Sequence, residues 1–268
     1  MTRIDIDRIE QYLDAVPRTA ADAVDIGPFT LFRPTTISTY YARPRLGAAT
    51  EVTAADIHDL AAVCDEFGLP LAIEATLEVT PSLVDAARGA GLDVTVRPLL
   101  ALHKADHVPA PRPPWVRVIA AGDPDAVLAR AVAEVAFRSG GAAIGPEGTA
   151  ERDAEALLVT PERIALTAKR SAARQTVIVG AYVDAHGIVS VGHHQPVNGC
   201  SEVVGVSTLP AFRRRGLAAA VTAAVLDDAF AGGADLVILS AMNDDVARLY
   251  ERLGFVRVAH AVAAERVA

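Results

Sequence analysis

Val203-Val-Gly-Val-Ser-Thr-Leu-Pro-Ala-Phe-Arg-Arg-Arg-Gly-Leu-Ala218 is the stretch on which the reading of this chain turns. Glu202 to Ser207 is apolar and β-branched, the pattern of a buried strand. Pro210 stops it, a short basic turn follows, and a helix begins near Gly216. The first N–H groups of a helix lack internal partners and carry the positive end of its dipole. Gly216 and Ala218 are small, so an anion can approach that backbone closely. The stretch therefore reads as an anion seat of the kind that holds a pyrophosphate, with charge added by Arg213, Arg214 and Arg215. Taken alone, Arg-Arg-Arg-Gly reads equally as an exposed basic turn capping an ordinary helix.

The flanking sequence continues in alternation. Leu217, Val221, Ala224 and Val225 repeat at helical spacing, giving a helix over 216–231 that Gly232-Gly233 ends. A strand is expected at 236–239, a helix at 244–253 closed by Gly254 as a left-handed cap, and a last strand at 256–262. Upstream, strands are expected at 115–120, 176–183 and 187–192, and helices at 124–137 and between 150 and 169. A Gly-rich loop spans Ser139 to Gly148. It has no following Lys-Ser or Lys-Thr, so it is not a P-loop. Such alternation predicts an α/β fold, a mixed sheet with helices packed on it.

Arg213-x-x-Gly216-x-Ala218 resembles the acyl-CoA-binding signature of the GNAT acetyltransferases, Gln or Arg-x-x-Gly-x-Gly or Ala. Asn243-Asp-Asp-Val-Ala-Arg-Leu-Tyr-Glu-Arg-Leu-Gly-Phe255 is similar to that family's second motif, and the two lie in the family's order. The resemblance implies a GNAT-like acyl-CoA N-acyltransferase fold over the C-terminal half and acetyl-CoA as cosubstrate. It implies that the backbone of Val206, Ser207 and Thr208 pairs with pantetheine, one N–H polarising the thioester carbonyl. The N–H groups of Arg214, Arg215, Gly216, Leu217, Ala218 and Ala219 would hold the pyrophosphate, and Asn243 would steady the pantetheine arm.

Two residues carry the proton chemistry that this resemblance implies. Tyr250, two helical turns after Asn243, stands where the family has the acid that protonates the leaving thiolate; a phenol can do so if held close. Glu202, at the start of the strand leading into the seat, stands where several members have a base. An ammonium must lose a proton before it attacks, and a carboxylate can take it directly or through water. The plain alternatives are a core aromatic and a strand-end glutamate. His193 and His194 compete as bases, placed by the neighbouring Pro196 and Asn198 in a solvated turn. Cys64 and Cys200 make no zinc spacing or disulfide framework and read as small buried hydrophobes; no metal is expected.

The clearest seam is His107-Val-Pro-Ala-Pro-Arg-Pro-Pro114, which divides the chain into expected domains 1–112 and 113–268. In the first, strands are expected at 29–32, 38–42, 71–75 and from 93. Helices are expected at 54–67, with Thr53 as N-cap, and at 81–90. Leu83 to Leu92 echoes Val246 to Phe255, so the N-terminal part reads as a degenerate, partial GNAT-like copy. It sets Ala87 against Tyr250 and Thr80 against Asn243, and it has no matching Arg-x-x-Gly-x-Ala turn.

The chain has 268 residues, about half of them apolar, and a net charge of −8. An acidic chain is a poor non-specific partner for nucleic acid or anionic membrane. The acidic start lacks an apolar leader and no long apolar run follows, so a soluble cytoplasmic protein is expected. The sequence thus points to an N-acetyltransferase acting by direct attack of a small-molecule or peptide amine; its rival is a non-catalytic acyl-CoA sensor or scaffold. Assembly as a homo-oligomer stays open.

Overall fold

The computed structural model describes residues 6–38, 40–47 and 51–266. Residues 1–5, read above as a start without a leader, and Thr39, inside the strand expected at 38–42, lie outside the described residues. The chain folds into two compact units. The first comprises 1–101, 240–248 and 256–268; the second comprises 102–239 and 249–255. The seam expected at 107–114 lies within the second unit. The division differs from the expected one because the last strand of the chain joins the sheet of the first unit.

The first unit contains α1 (Ile6–Ala15), β1 (Ala21–Ile26), β2 (Phe29–Pro34), β3 (Ala42–Pro44), α2 (Ala54–Glu66), β4 (Ala72–Thr76), α3 (Leu83–Gly89) and β5 (Leu92–His103). Its sheet also takes in β11 (Val256–Arg266), in the order β1-β2-β3-β4-β11-β5, with β11 antiparallel to both neighbours. Ile57, Leu60 and Cys64 of α2, Leu83 and Ala87 of α3, and Ile73 and Ala75 of β4 form one apolar core. Burial pushes the Cys64 thiol up, away from reactivity. On α1, Glu10 is buried against Arg43 (3.1 Å) and Thr76 (2.5 Å). The expected strand at 38–42 is instead β3. Neither α1 nor β1 was anticipated; β1 is an edge strand with little buried on either face.

The second unit contains β6 (Val116–Ile119), α4 (Asp125–Arg138), α5 (Thr149–Ala156), α6 (Pro161–Ala172), β7 (Val177–Val183), β8 (Gly187–Val197), β9 (Cys200–Thr208), α7 (Leu217–Ala231) and β10 (Leu236–Ser240). α8 (Asp244–Glu251) follows. The strand order is β10-β9-β8-β7-β6. The pairs from β6 to β9 are antiparallel, and β9–β10 is parallel. α7 packs against β7, β8 and β9, and α4 against β8 and β9. A Cβ on Gly192 would lie 2.9 Å from Val221 Cγ1, so glycine is what lets α7 approach the sheet so closely.

The order β1-β2-β3-α2-β4-α3-β5 repeats as β7-β8-β9-α7-β10-α8-β11. Each series has one parallel step at its middle, Ala42↔Ile73 in the first and Leu236↔Cys200 in the second. The glycines that close α3 and α8, Gly91 and Gly254, both hold positive φ, +79° and +97°. The faint sequence repeat is therefore matched by a repeat of architecture.

Candidate active site

The site begins where β9 leaves β10. Their parallel pairing runs from Leu236↔Cys200 to Ile238↔Glu202, and among the described residues it goes no further, although β9 continues to Thr208. A bulge accompanies the parting. His193 pairs with Val204 and Val191 with Ser207, so Gly205 and Val206 together oppose Gly192. Gly205 holds φ +64°, and a Cβ there would lie 2.7 Å from His193 Nδ1. Glycine is therefore required twice over, for the backbone and for the imidazole. Bulges bend the strand that carries them. The main chain of Val206, Ser207 and Thr208 thus lies beyond the end of the ladder, where an extended ligand can add itself as a strand.

The turn after β9 delivers the start of α7. Pro210–Phe212 make a single 3-10 turn, Arg214 takes φ +66° and Gly216 φ +76°. Gly216 is the N-cap of α7, with no side-chain cap and no acidic residue in the first turn. A Cβ on Gly216 would meet nothing within 4 Å, so the approach to these N–H groups is open. α2, the equivalent helix of the first unit, is closed. Thr53 Oγ1 accepts the Asp56 N–H, and Asp56 Oδ2 accepts the Thr53 N–H at 2.9 Å. A carboxylate of the chain already sits where an anion would.

The three arginines divide. Arg214 and Arg215 are exposed, and Arg215 lies 5.0 Å over the Phe212 ring while donating to the Ala211 carbonyl at 3.3 Å. Arg213 was expected to add charge to the seat. Its guanidinium instead donates to four main-chain carbonyls, those of Thr208, Ala136, Gly140 and Ala143.

Strand alternation sorts the polar groups of β8 and β9 by face. His194 and Ser201 point toward α7, since His194 meets Ser201 Oγ at 2.9 Å and Asp228 Oδ1 at 3.0 Å. Their neighbours His193 and Glu202 therefore face the α4 side. Past the bulge Val206 is on the α7 side, within reach of a Cβ on Gly192, so Ser207 shares the face of Glu202. Ser207 Oγ is buried and has no hydrogen-bond partner among the described residues. Glu202 is half-buried and pairs across the ladder with Gln195.

Both histidines lie within β8, and the solvated turn expected for them is not there. The turn is Asn198-Gly199, with φ +49° and +75°, a two-residue hairpin closed by Val197↔Cys200. Asn-Gly between alternating runs is the strongest local hairpin signal, and it would have extended the strand through both histidines. Burial pulls the His193 pKa down to about 4, so the ring is neutral near pH 7. His194 is fully buried. The Asp228 carboxyl is held below its usual range, chiefly by the hydrogen bond from His194. Ser201 is fully buried too, so the Ser201–His194–Asp228 chain ties β9, β8 and α7 together, and its outer end, the half-buried Asp228, accepts from the exposed Arg174. Cys200 is buried at 2 % exposure.

Asn243 heads α8, its Oδ1 accepting the Val246 N–H at 3.0 Å. Tyr250 lies in the last turn of the same helix, 8 % exposed, its ring edge-on to Phe255 at 6.0 Å. Burial pushes its phenol up to about 12, so it holds its proton throughout the neutral range. Among the described residues no three His, Cys, Asp or Glu side chains gather as metal ligands, and no helix is long and apolar enough to cross a membrane.

Comparison with known proteins gives a family match over part of the chain and solved structures that share the fold. Residues 149–255 match the model of the acetyltransferase (GNAT) family. A GCN5-related N-acetyltransferase from Kribbella flavida has the same fold, with TM-score 0.70 and 22% identity over 99% of this chain and 96% of its own. A GNAT-family acetyltransferase from Novosphingobium aromaticivorans superposes at TM-score 0.54 with 22% identity, over 90% of this chain and 89% of its own. A tandem GNAT protein from the clavulanic acid biosynthesis pathway gives TM-score 0.54 and 14% identity, over 100% of this chain and 98% of its own. No curated protein matches the sequence. The family match lies in the C-terminal part of the chain.

Proposed function

We propose that this chain, whose C-terminal part carries the GNAT family match, is an acetyl-CoA-dependent N-acetyltransferase acting on a primary amine. The observation that carries the reading is the glycine-opened, uncapped start of α7 directly after a strand that has parted from its neighbour. The N–H groups of Arg214 to Ala219 suit a pyrophosphate, and the main chain of Val206 to Thr208 suits an amide-bearing arm added as a strand. The amide N–H groups of Asn243 would steady that arm. Acetyl-CoA bound there supplies a reactive thioester, and an N–H of β9 would polarise its carbonyl. Glu202 would take the proton from the ammonium form of the acceptor. Tyr250 would return one to the leaving sulfur; its raised pKa keeps the phenol protonated for that task. Calorimetry with acetyl-CoA, followed by a screen of primary amines monitored by CoA release, tests the reading. Absence of heat and of turnover would overturn it.

Glu202 carries a prediction in its pH dependence. If the carboxylate deprotonates the acceptor, Glu202→Gln should slow turnover by ~10- to 100-fold near neutral pH, where the amine is an ammonium. The deficit should shrink as pH rises toward the amine's own pKa, because the free base needs no proton acceptor. A deficit that is flat with pH would leave Glu202 a structural residue.

The first unit reads as the degenerate copy, and its equivalent helix start is blocked by Thr53 and Asp56. Titration of the whole chain with acetyl-CoA should therefore give one equivalent. Two equivalents would mean that α2 opens, and the degenerate-copy reading would fall.

A further inference from the structure

Arg213 opens the basic turn, yet its side chain points back from the seat. Nε donates to the Thr208 carbonyl at 3.2 Å, at the end of β9. Nη2 donates to Ala136 at 2.9 Å, in the last turn of α4. Nη1 donates to Gly140 at 3.0 Å and to Ala143 at 2.9 Å, both in the Gly-rich loop. A guanidinium has five N–H donors in a planar fork, and four bonds to carbonyls leave it little to offer a phosphate. Burial among these groups pulls its pKa below the ordinary value, without discharging it.

Apart from Arg213, the near end of the loop is held by the closing bonds of α4, Ser139 N and Oγ donating to the Val135 carbonyl and Gly140 N to the Phe137 carbonyl. Residues 139–144 are all exposed, so no apolar burial fixes them. Gly140 and Gly141 take φ +57° and +55°, which turns the backbone so that its carbonyls meet Arg213. At its far end the loop closes on the same turn, with Gly145 N donating to Pro210 O at 3.3 Å and Ala211 N to Glu147 O at 3.0 Å.

We propose that Arg213 is a positioning residue that clamps the Gly-rich loop 139–148 onto the anion seat and so makes that loop a fixed wall of the seat. It acts through the loop and the end of β9, not as a ligand of phosphate. The identity of the seat's occupant rests on the function proposed above; the clamp itself does not.

Arg213→Lys keeps the charge but not the fork, and Arg213→Gln removes the charge. In the ligand-free whole chain, amide hydrogen exchange over 139–145 should quicken by ~10-fold or more in both variants, with the strands of the second unit unchanged. Acetyl-CoA affinity, measured by calorimetry at two ionic strengths, should weaken by ~10-fold in both. Its salt dependence should stay that of the wild type, because no phosphate contact is lost. Unchanged exchange in the loop would overturn the clamp. Faster exchange with affinity kept within ~3-fold in both variants would show that the loop is no wall of the seat. Affinity kept by the lysine and lost by the glutamine, with a weaker salt dependence, would make Arg213 a phosphate ligand and sink the proposal. If the wild-type chain fails to bind acetyl-CoA, the proposed function falls, and the exchange measurement alone decides the clamp.

Discussion

Gly216→Glu is expected to abolish acetyl-CoA binding, weakening it by ~100-fold or more, while the chain stays folded. Gly216 caps α7 at φ +76°, and a Cβ there would meet no atom within 4 Å. The first side-chain carbon therefore meets no steric repulsion inside the fold. The cost is the left-handed backbone, about 1–2 kcal/mol for a residue with a Cβ. The ligand would suffer far more. A carboxylate would stand at the helix N-terminus, as that of Asp56 does on α2, and repel the pyrophosphate. Gly216→Ala separates the two effects, because it carries the backbone strain without the charge and should retain most of the affinity. Calorimetry on both variants, beside thermal unfolding, provides the check. An unchanged affinity in Gly216→Glu would place the seat elsewhere.

Tyr250→Phe is expected to lower turnover by ~10- to 1,000-fold with acetyl-CoA affinity nearly unchanged. The ring is buried against Phe255, and phenylalanine retains that packing, so the variant removes a hydroxyl and little else. With its pKa pushed up to about 12, the phenol stays protonated across the neutral range. The wild-type rate should therefore show no falling limb from Tyr250 until pH nears that value. Steady-state kinetics over pH, with the amine found by the CoA-release screen, provides the measurement. Wild-type turnover in the variant would return Tyr250 to the role of a core aromatic. His193 is the next group to test, although its neutral ring is half enclosed by the bulge at Gly205.

The α7 start was legible because its causes are local. Helix N-termini are decided within a few residues, by a proline that ends the preceding strand, a glycine that allows positive φ, and the presence or absence of a side-chain cap. Thr53 and Asp56 on α2 were half legible in the same way: the threonine cap was read, and the answering aspartate three residues later was not. The histidines were misplaced through a local signal passed over, the Asn198-Gly199 turn.

By itself, the sequence determined the alternation of strands and helices, the open start of α7, the glycine endings of α3 and α8, and the family motifs on which the proposed site rests. Tertiary structure alone decided three further matters. β11 joins the sheet of the first unit between β4 and β5, which moves the division of the chain away from the proline-rich seam. β9 leaves β10 after Glu202, because a bulge at Gly205 bends it around His193. Arg213 turns from the seat to the carbonyl of Ala136, 77 residues earlier in the chain. The physical reason is common to all three. A backbone N–H or a guanidinium must find an acceptor, but sequence spacing restricts that choice only within a turn or a hairpin. Beyond that range the partner is whichever carbonyl the packing of apolar faces brings near, and apolar faces are degenerate in sequence.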